Sequence, residues 1–160
     1  MIDVERVTIR DADREDLPAI IALLEADPLG RLRDGLEDNL GAYEQAFEAI
    51  QASPTNRQIV AELDRQIVGT FQLTFIPGLS FRGGERVQIE SVRVAENLRG
   101  QGLGRHLMLW VLDLARARGA RLVQLTTNRT RADAHRFYEA LGFEATHSGM
   151  KIDLGAKGDG

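Results

Sequence analysis

Cysteine, paired histidines and long apolar runs are all missing from this sequence. The 160 residues include no cysteine, which excludes disulfides, thiolate metal sites and a cysteine nucleophile. The three histidines are not spaced as a ligand pair at i, i+4, so we expect no bound metal. No apolar run approaches the roughly 20 residues that span a bilayer, and the acidic residues 1–5 are unlike a secretory signal. These absences favour a cytoplasmic protein with no membrane partner.

Positive charge is in the minority. The chain has 20 Lys and Arg against 24 Asp and Glu, a formal net charge of -4. Proteins that bind the nucleic-acid backbone gain affinity from clustered Lys and Arg, so we expect no nucleic-acid partner. A composition of 43% hydrophobic and 28% charged residues is typical of a soluble globular protein. The length predicts a single domain over residues 1–154 with a frayed tail over 155–160.

The spacing of apolar residues predicts the order of helices and strands. A period near 3.6 residues indicates a helix, and alternation indicates a strand. The first half is predicted to contain a strand over 4–9, a helix over 17–24 capped by Asp13 or Asp16, an irregular segment over 27–39, and a helix over 43–50 that ends at Ser53-Pro54. Strands over 59–63, 66–76 and 86–94 follow. The rest is predicted as a helix over 104–118, a strand over 122–126, a helix over 131–141 opened by a capping box of Thr130 and Asp133, and a hairpin over 143–154.

The connections between these elements predict the fold class. Short links, such as the turn Asp64-Arg65, make the strands over residues 59–94 an antiparallel meander. One face of this meander should carry Ile67, Phe71, Leu73 and Phe75. The strand, helix and strand over residues 86–126 imply a parallel crossover. The fold class is therefore α/β, with a mixed, mostly antiparallel central sheet flanked by helices.

The strand over residues 86–94 changes its apolar phase halfway. Val87 and Ile89 set one phase, and Val92 and Val94 set the other. One extra residue near Glu90 would reconcile the two phases, as a β-bulge does. The alternative is a central strand that is buried on both faces, with Glu90 at an edge.

A glycine-rich segment follows this strand and opens a helix. It reads Arg99-Gly100-Gln101-Gly102-Leu103-Gly104-Arg105. Glycines let the backbone approach a ligand closely, and the first turn of a helix presents unpaired N–H groups at the positive end of its dipole. Such a segment favours a phosphate or pyrophosphate. It is neither a dinucleotide fingerprint, because the last position is Arg105, nor a P-loop, because Gly-Lys-Ser/Thr does not occur.

Two segments resemble the signatures of the GNAT superfamily of N-acetyltransferases. The segment Val92-Arg93-Val94, followed by Arg99-x-x-Gly102-x-Gly104, is similar to the acyl-coenzyme A motif (Arg/Gln)-x-x-Gly-x-(Gly/Ala). Residues 134–143 resemble the second signature, a helix with Ala-x-x-Phe-Tyr that ends in Gly-Phe. Both segments occur in the expected order and spacing. The resemblance covers nearly the whole chain.

This resemblance implies a fold, a co-substrate and a set of binding residues. The fold would be that of acyl-CoA N-acyltransferases with a β-bulge in the fourth strand, and acetyl-CoA would bind at a splay between two parallel strands. Tyr138 would direct its hydroxyl at the sulfur. Many members carry an asparagine seven residues before this tyrosine. Here Arg131 occupies that position, and Asn128 is the candidate substitute. The pantetheine arm would pair with the backbone of Val92, Arg93 and Val94, and the pyrophosphate would lie on Arg99, Gly100, Gln101, Gly102, Leu103, Gly104 and Arg105.

The chemistry of amine acetylation points to two catalytic residues. An alkyl amine has a pKa of about 10, so it must lose a proton before it attacks a thioester. Glu90, beside the expected bulge, is the first candidate for the base; a surface or ion-paired glutamate is the alternative. Glu85, at the start of the strand, is a poorer candidate. Tyr138 can protonate the leaving thiolate, and the alternative is an aromatic residue that only packs.

The sequence thus predicts an N-acetyltransferase that transfers an acetyl group from acetyl-CoA to a primary amine, directly in a ternary complex. A small-molecule amine is the first acceptor considered. A protein lysine or N-terminal amine, and a coenzyme A-binding regulatory module without turnover, are the alternatives. Trp110 is expected in the core or in a subunit contact, which leaves a homodimer open.

Overall fold

A computed structural model of the chain describes residues 1–27 and 39–155. The irregular segment predicted over residues 27–39 and the tail predicted over 155–160 fall almost wholly outside the described residues. Contacts divide the chain into two compact units, Met1–Leu125 and Thr126–Gly160, each with elements of its own. The single domain over residues 1–154 stays a prediction.

The first unit is built on a sheet whose strands follow the order of the chain, β1-β2-β3-β4-β5. Neighbouring strands from β1 to β4 are antiparallel, and β4 and β5 are parallel. The predicted mixed, mostly antiparallel sheet with its meander and crossover is therefore confirmed. The elements are β1 (Thr8–Asp11), α1 (Leu17–Ala26), α2 (Leu40–Ala52), β2 (Asn56–Leu63), β3 (Gln66–Ile76), β4 (Arg86–Val94), α3 (Leu103–Ala117) and β5 (Leu122–Leu125).

Local hydrogen bonds set where the first elements begin. The side chain of Asp3 accepts a hydrogen bond from the backbone N of Glu5 at 3.1 Å and starts a 3₁₀ turn, Val4–Arg6. This capped turn is why β1 begins at Thr8 and not at Val4, as predicted. Before α1, the Asp16 side chain accepts from the backbone N of Asp13 at 2.7 Å. The N-cap of α1 is Asp16, one of the two predicted residues, and the other, Asp13, is the N-cap of the 3₁₀ turn Arg14–Asp16 that precedes the helix.

The two faces of the sheet carry different helices. On one face, residues of α1 and α2 and of the neighbouring strands form a buried cluster that includes Ile20, Ile21, Phe47 and Val60. The other face carries α3, because a Cβ added to Gly69 would lie 3.1 Å from Leu107. Burial of these apolar side chains on both faces supplies the main driving force for folding.

A register irregularity in β3 corrects one prediction. Ala61 pairs with Gly69, but the next residue, Glu62, pairs with Ile67. The extra residue in β3 changes the face of the side chains on either side of it. Phe71 therefore packs against Trp110 of α3, with ring centroids 6.1 Å apart, whereas Ile67 packs against the cluster on the other face. The prediction that Ile67 shares a face with Phe71 is wrong for this reason.

A second irregularity lies in β4. Thr70 pairs with Arg93 and Gln72 pairs with Glu90, so that β4 advances three residues where β3 advances two. Within this step, Ser91 has φ 53, a left-handed conformation that is uncommon outside glycine. The irregularity lies where the sequence predicts a β-bulge. It also separates the two apolar phases of the strand.

The described part of the second unit contains α4, Ala132–Ala140. The predicted capping box is wrong, because the N-cap is Arg131 and the backbone N and hydroxyl of Thr130 donate to Asn128 Oδ1 instead. The predicted hairpin is absent from residues 143–155, which carry no strand. Its apolar residues Met150 and Ile152 are 92% and 87% exposed, so the alternating pattern has no apolar surface to cover.

Candidate active site

The glycine segment forms an open cradle at the N-terminus of α3. Gly100 and Gly102 have φ of 74° and 89°, and Gly102 is the N-cap of the helix. The first bond within the helix runs from the backbone N of His106 to the oxygen of Gly102 at 3.0 Å. The N–H groups of residues 103–105 therefore precede the hydrogen-bonded ladder and point away from it, toward any anion that binds there.

The space in front of this cradle is free of protein. A Cβ added to Gly100 or Gly102 would meet no described atom within 4 Å. Glycine is therefore favoured at these positions by the positive φ of the backbone and not by a lack of space. Leu103 is fully buried and fixes the segment to the core. The predicted cations Arg99 and Arg105 are both exposed on either side. The residues present therefore fit a diphosphate: backbone donors, free volume and two arginines.

The end of β4 is open along one edge. The last residue of β4 that pairs with β5 is Ile89, opposite Leu125. Among the described strands, residues 90–94 pair with β3 alone. No described strand covers the other side of residues 92–94, so an extended ligand can pair along this edge, although the oxygen of Val92 already accepts from Arg93 Nη1. This edge leads directly into the glycine cradle.

Arg93 lies in the same stretch, but its side chain is turned inward. Its Nε lies 3.6 Å from Asp27 Oδ2, and the two side chains are 11% and 9% exposed. Its Nη1 donates to the oxygen of Val92 at 2.9 Å. The side chain thus ties β4 to the end of α1, which leaves the backbone as the part of Arg93 that can meet a ligand.

The two glutamates that the sequence offers as bases are in different situations. Glu90 is exposed at the β4 irregularity and forms no ion pair within the described residues. Glu85 accepts two hydrogen bonds from Arg118, at 2.8 and 2.9 Å, and these hydrogen bonds lower its pKa. A carboxylate held in this way is a weak base, so the structure favours Glu90.

The remaining predicted residues lie in the second unit. Tyr138 is half-buried in α4 between Phe137 and Phe143, with ring centroids 5.0 and 5.7 Å away in edge-to-face geometry. Asn128 Oδ1 accepts from the backbone N of Thr130 at 3.0 Å. Its oxygen is therefore engaged in a local turn, and its amide N–H groups are the part that can donate to a ligand.

Sequence reasoning missed a set of polar side chains on the first unit. They are Asn56 and Gln58 of β2, Gln72 and Thr74 of β3, and Gln88 of β4, all half-buried. Their alternation with apolar residues is the signal that could have found them. Such alternation usually marks a solvated face, and only the register shows that Gln58 and Gln72 form one row with Glu90 across the sheet.

A groove of about 390 Å³ adjoins this polar face. Its walls include Phe47 and Gln51 of α2, and Asn56 and Gln58 of β2. Gln58 is therefore both a groove residue and a member of the row that contains Glu90. The volume is within the range of small-molecule sites.

The described residues contain neither a membrane-spanning helix nor a metal-binding cluster. None of their helices combines the length and the apolar character that crossing a membrane requires. None of their His, Cys, Asp and Glu residues gather in groups of three or more that could hold a metal ion.

Comparison with known proteins places this geometry in context. A family model described as Acetyltransferase (GNAT) family matches residues 17–143. The aminoalkylphosphonate N-acetyltransferase of Salmonella typhimurium is 31% identical over 141 residues, which cover 87% of this chain and 86% of that protein. The glucosamine 6-phosphate N-acetyltransferase of Trypanosoma brucei brucei is 30% identical over 160 residues, which cover 96% and 100%. The crystal structure of a transcriptional regulator from Bacillus halodurans C-125 has a TM-score of 0.89 at 44% identity and covers 92% of this chain and 99% of that chain.

Proposed function

The chain belongs to the acetyltransferase (GNAT) family, and we propose that it transfers an acetyl group from acetyl-CoA to the primary amine of a small molecule, directly in a ternary complex. The observation that carries the proposal is the glycine cradle, which continues from the open edge of β4. Together they supply donors for a diphosphate and an edge for an extended arm. Acetyl-CoA, when bound, supplies an acetyl group activated as a thioester.

The binding residues follow from this arrangement. We assign the diphosphate to the backbone of residues 100–105 with Arg99 and Arg105 beside it, and the pantetheine arm to the backbone of residues 92–94. Asn128 is assigned to the same arm through its amide N–H groups. Helix N-termini and exposed arginines both stabilise negative charge.

Glu90 is assigned the role of base. It removes a proton from the acceptor ammonium, directly or through water, because only the neutral amine can attack the thioester. The amine nitrogen then forms the new amide bond while the carbon–sulfur bond breaks. Tyr138 is assigned the role of acid, which donates its hydroxyl proton to the departing thiolate.

A small-molecule acceptor is supported by two relatives. The proteins of Salmonella typhimurium and Trypanosoma brucei brucei are named for small amines, and each covers most of this chain. A second candidate, a coenzyme A-binding regulator without turnover, is favoured by the relative of Bacillus halodurans that is described as a transcriptional regulator. Turnover separates the two candidates.

The test is the release of coenzyme A thiol from acetyl-CoA in the presence of a panel of primary amines. The transferase should release thiol and form a stoichiometric amount of N-acetyl product. Glu90→Gln should lower the rate by roughly 10²–10⁴-fold at neutral pH, the usual contribution of a positioned base. This deficit should shrink as the pH rises and free amine becomes abundant.

The control is Glu5→Gln, the same chemical change at an exposed glutamate of the turn Val4–Arg6; its rate should equal that of the unchanged protein. Tight binding of acetyl-CoA without amine-dependent release by any amine would support the regulator instead. A Glu90→Gln rate equal to that of Glu5→Gln would remove Glu90 from the base role.

A further inference from the structure

Two rows of polar side chains cross the sheet of the first unit. The rows are defined by strand register: each member lies opposite the next on the neighbouring strand. The first row is Gln58, Gln72 and Glu90. The second row is Asn56, Thr74, Gln88 and Gln124. We call them the amide rows.

The amide rows lie on the face that carries α1 and α2. Val60, two residues after Gln58 on β2, belongs to the buried cluster of these helices, and residues two apart share a face. The intervening residues Leu73, Val87 and Ile89 are fully or almost fully buried and alternate with the rows. The helices cover this face around Val60. They leave the amide rows half-buried and accessible to a ligand.

Hydrogen bonds within the rows hold several side chains in place. Gln124 Nε2 donates to Gln88 Oε1 at 2.7 Å, and Thr74 Oγ1 donates to Asn56 Oδ1 at 2.7 Å. Outside the rows, Gln58 Nε2 donates to Thr70 Oγ1 at 2.8 Å and to the oxygen of Phe71 at 3.3 Å, which leaves its carbonyl oxygen for a ligand. A primary amide has two donor hydrogens and two acceptor lone pairs, so each glutamine retains capacity for a ligand.

The arginines beside the amide rows are already engaged by carboxylates. Arg10 pairs with Asp16 and Glu62, both at 2.8 Å. Arg93, which lies opposite Thr70 on the same face, pairs with Asp27. Arg86, two residues before Gln88 on β4 and half-buried, also lies on this face, beyond the second row. In the described part of the first row the charge is the exposed carboxylate of Glu90, with the neutral amides of Gln72 and Gln58 beside it.

We propose that the acceptor is a polyhydroxylated primary amine of the amino-sugar type without a phosphoryl group. This inference rests on the proposed function. Its ammonium lies against Glu90, and its hydroxyl groups hydrogen-bond to Gln72 and Gln58. A hydroxyl both donates and accepts, as an amide does, whereas a phosphoryl group only accepts and selects cations or several N–H donors. Gln58 lies two strands from Glu90, about 10 Å at the usual strand spacing, which a six-membered ring with its hydroxyls can bridge.

The test compares four amines with the full chain: glucosamine, glucosamine 6-phosphate, 2-aminoethylphosphonate and cyclohexylamine. We expect the highest kcat/KM for glucosamine. Gln72→Leu should raise the KM for glucosamine about tenfold, as the loss of one or two hydrogen bonds does. The kcat for glucosamine and both constants for cyclohexylamine, which has no hydroxyl, should change little.

Two variants separate recognition from general damage. Gln72→Asn keeps an amide and should recover part of the KM, and Gln66→Leu, at the exposed start of β3, should leave every constant unchanged. The inference is overturned if a phosphoryl-bearing amine exceeds glucosamine in kcat/KM, or if Gln72→Leu affects all four amines alike. Acetylation of cyclohexylamine with no preference for glucosamine would overturn the inference while leaving the proposed function intact. Failure with every amine would overturn both.

Discussion

Two roles are considered for Tyr138, aromatic packing and proton donation, and removal of its hydroxyl group separates them. Its ring packs edge-to-face between Phe137 and Phe143, and such packing depends on the ring and not on the hydroxyl. Tyr138→Phe therefore keeps the packing and removes the proton donor. We expect kcat and kcat/KM to fall together, roughly 10–1000-fold by analogy with the loss of an oxyanion donor, with little change in acetyl-CoA affinity. Turnover and melting temperature should be measured on one preparation.

The contradicting result is full activity at a rate limited by chemistry, which would leave Tyr138 a packing residue alone. The matched control is Tyr43→Phe, which removes a hydroxyl from a side chain of α2 that packs against the buried cluster. Its kcat should stay near that of the unchanged protein.

Single residues differ in how well the sequence predicts them. The positive φ of Gly102 at the start of α3 could be predicted, because this conformation is a local demand on one residue type. The alignment of Gln72 with Glu90 could not, because it depends on the pairing of β3 with β4. The alignment of Gln58 with Gln72 depends in addition on the extra residue in β3. Both arise from pairing between strands, which a local pattern does not contain.

At the scale of elements, α3 and its glycine cradle act together. Gly102→Val would place a branched side chain at φ 89 and in the space where a diphosphate would lie. We expect acetyl-CoA affinity to fall at least tenfold by calorimetry, because the strained backbone and the added side chain both oppose binding. Strain of this kind costs roughly 1–3 kcal/mol, so the melting temperature should also fall.

The control for this change is Gly41→Ala. Gly41 lies in α2, and a Cβ there would meet nothing within 4 Å. Alanine is the better helix former by about 1 kcal/mol, so the melting temperature should stay level or rise while acetyl-CoA affinity is unchanged. If the Gly102→Val protein is folded and binds acetyl-CoA as tightly as Gly41→Ala does, the cradle is not the diphosphate site.

Elements with local determinants were predicted well. The bounds of β3 and β4 agree with the predicted strands, and the turn Asp64-Arg65 joins β2 and β3 with both residues at positive φ. The predicted C-terminal hairpin is wrong, because alternation specifies a strand only where a neighbouring strand and an apolar surface are available. Met150, Ile152 and Leu154 alternate correctly yet remain exposed.

At the scale of the first unit, one ion-pair network joins β1, β2 and the start of α1. Arg10 donates to Asp16 and to Glu62. Burial alone would raise the pKa of Asp16, but the hydrogen bonds from Arg10 and from the backbone of Asp13 outweigh it and lower the pKa. A carboxylate with a lowered pKa in the folded state stabilises the protein above its unfolded pKa, and this contribution is lost as the pH falls through the folded value.

Asp16→Asn should therefore lower the free energy of unfolding by roughly 2 kcal/mol at pH 7, the scale of hydrogen bonds to a charged group. The difference from the unchanged protein should narrow below about pH 4, where aspartates become protonated in the unfolded chain. Urea unfolding from pH 3 to pH 8 measures both. Asp113→Asn removes an exposed pair with Arg116 and should change stability by less than about 1 kcal/mol at any pH. A constant gap between Asp16→Asn and the unchanged protein across this pH range would contradict the linkage.

The strand order of the sheet also determines which of its strands can pair while the chain is still being synthesised. Because spatial order follows chain order, a nascent chain that has emerged as far as Val94 already contains the whole antiparallel meander. The parallel edge is completed only after the crossover through α3, at Leu125. At about 5–20 residues per second, the ribosome needs roughly 2–6 seconds for that interval. During these seconds β4 is an edge strand of the meander without its parallel partner. The segment synthesised in the same interval is the one that carries the glycine cradle.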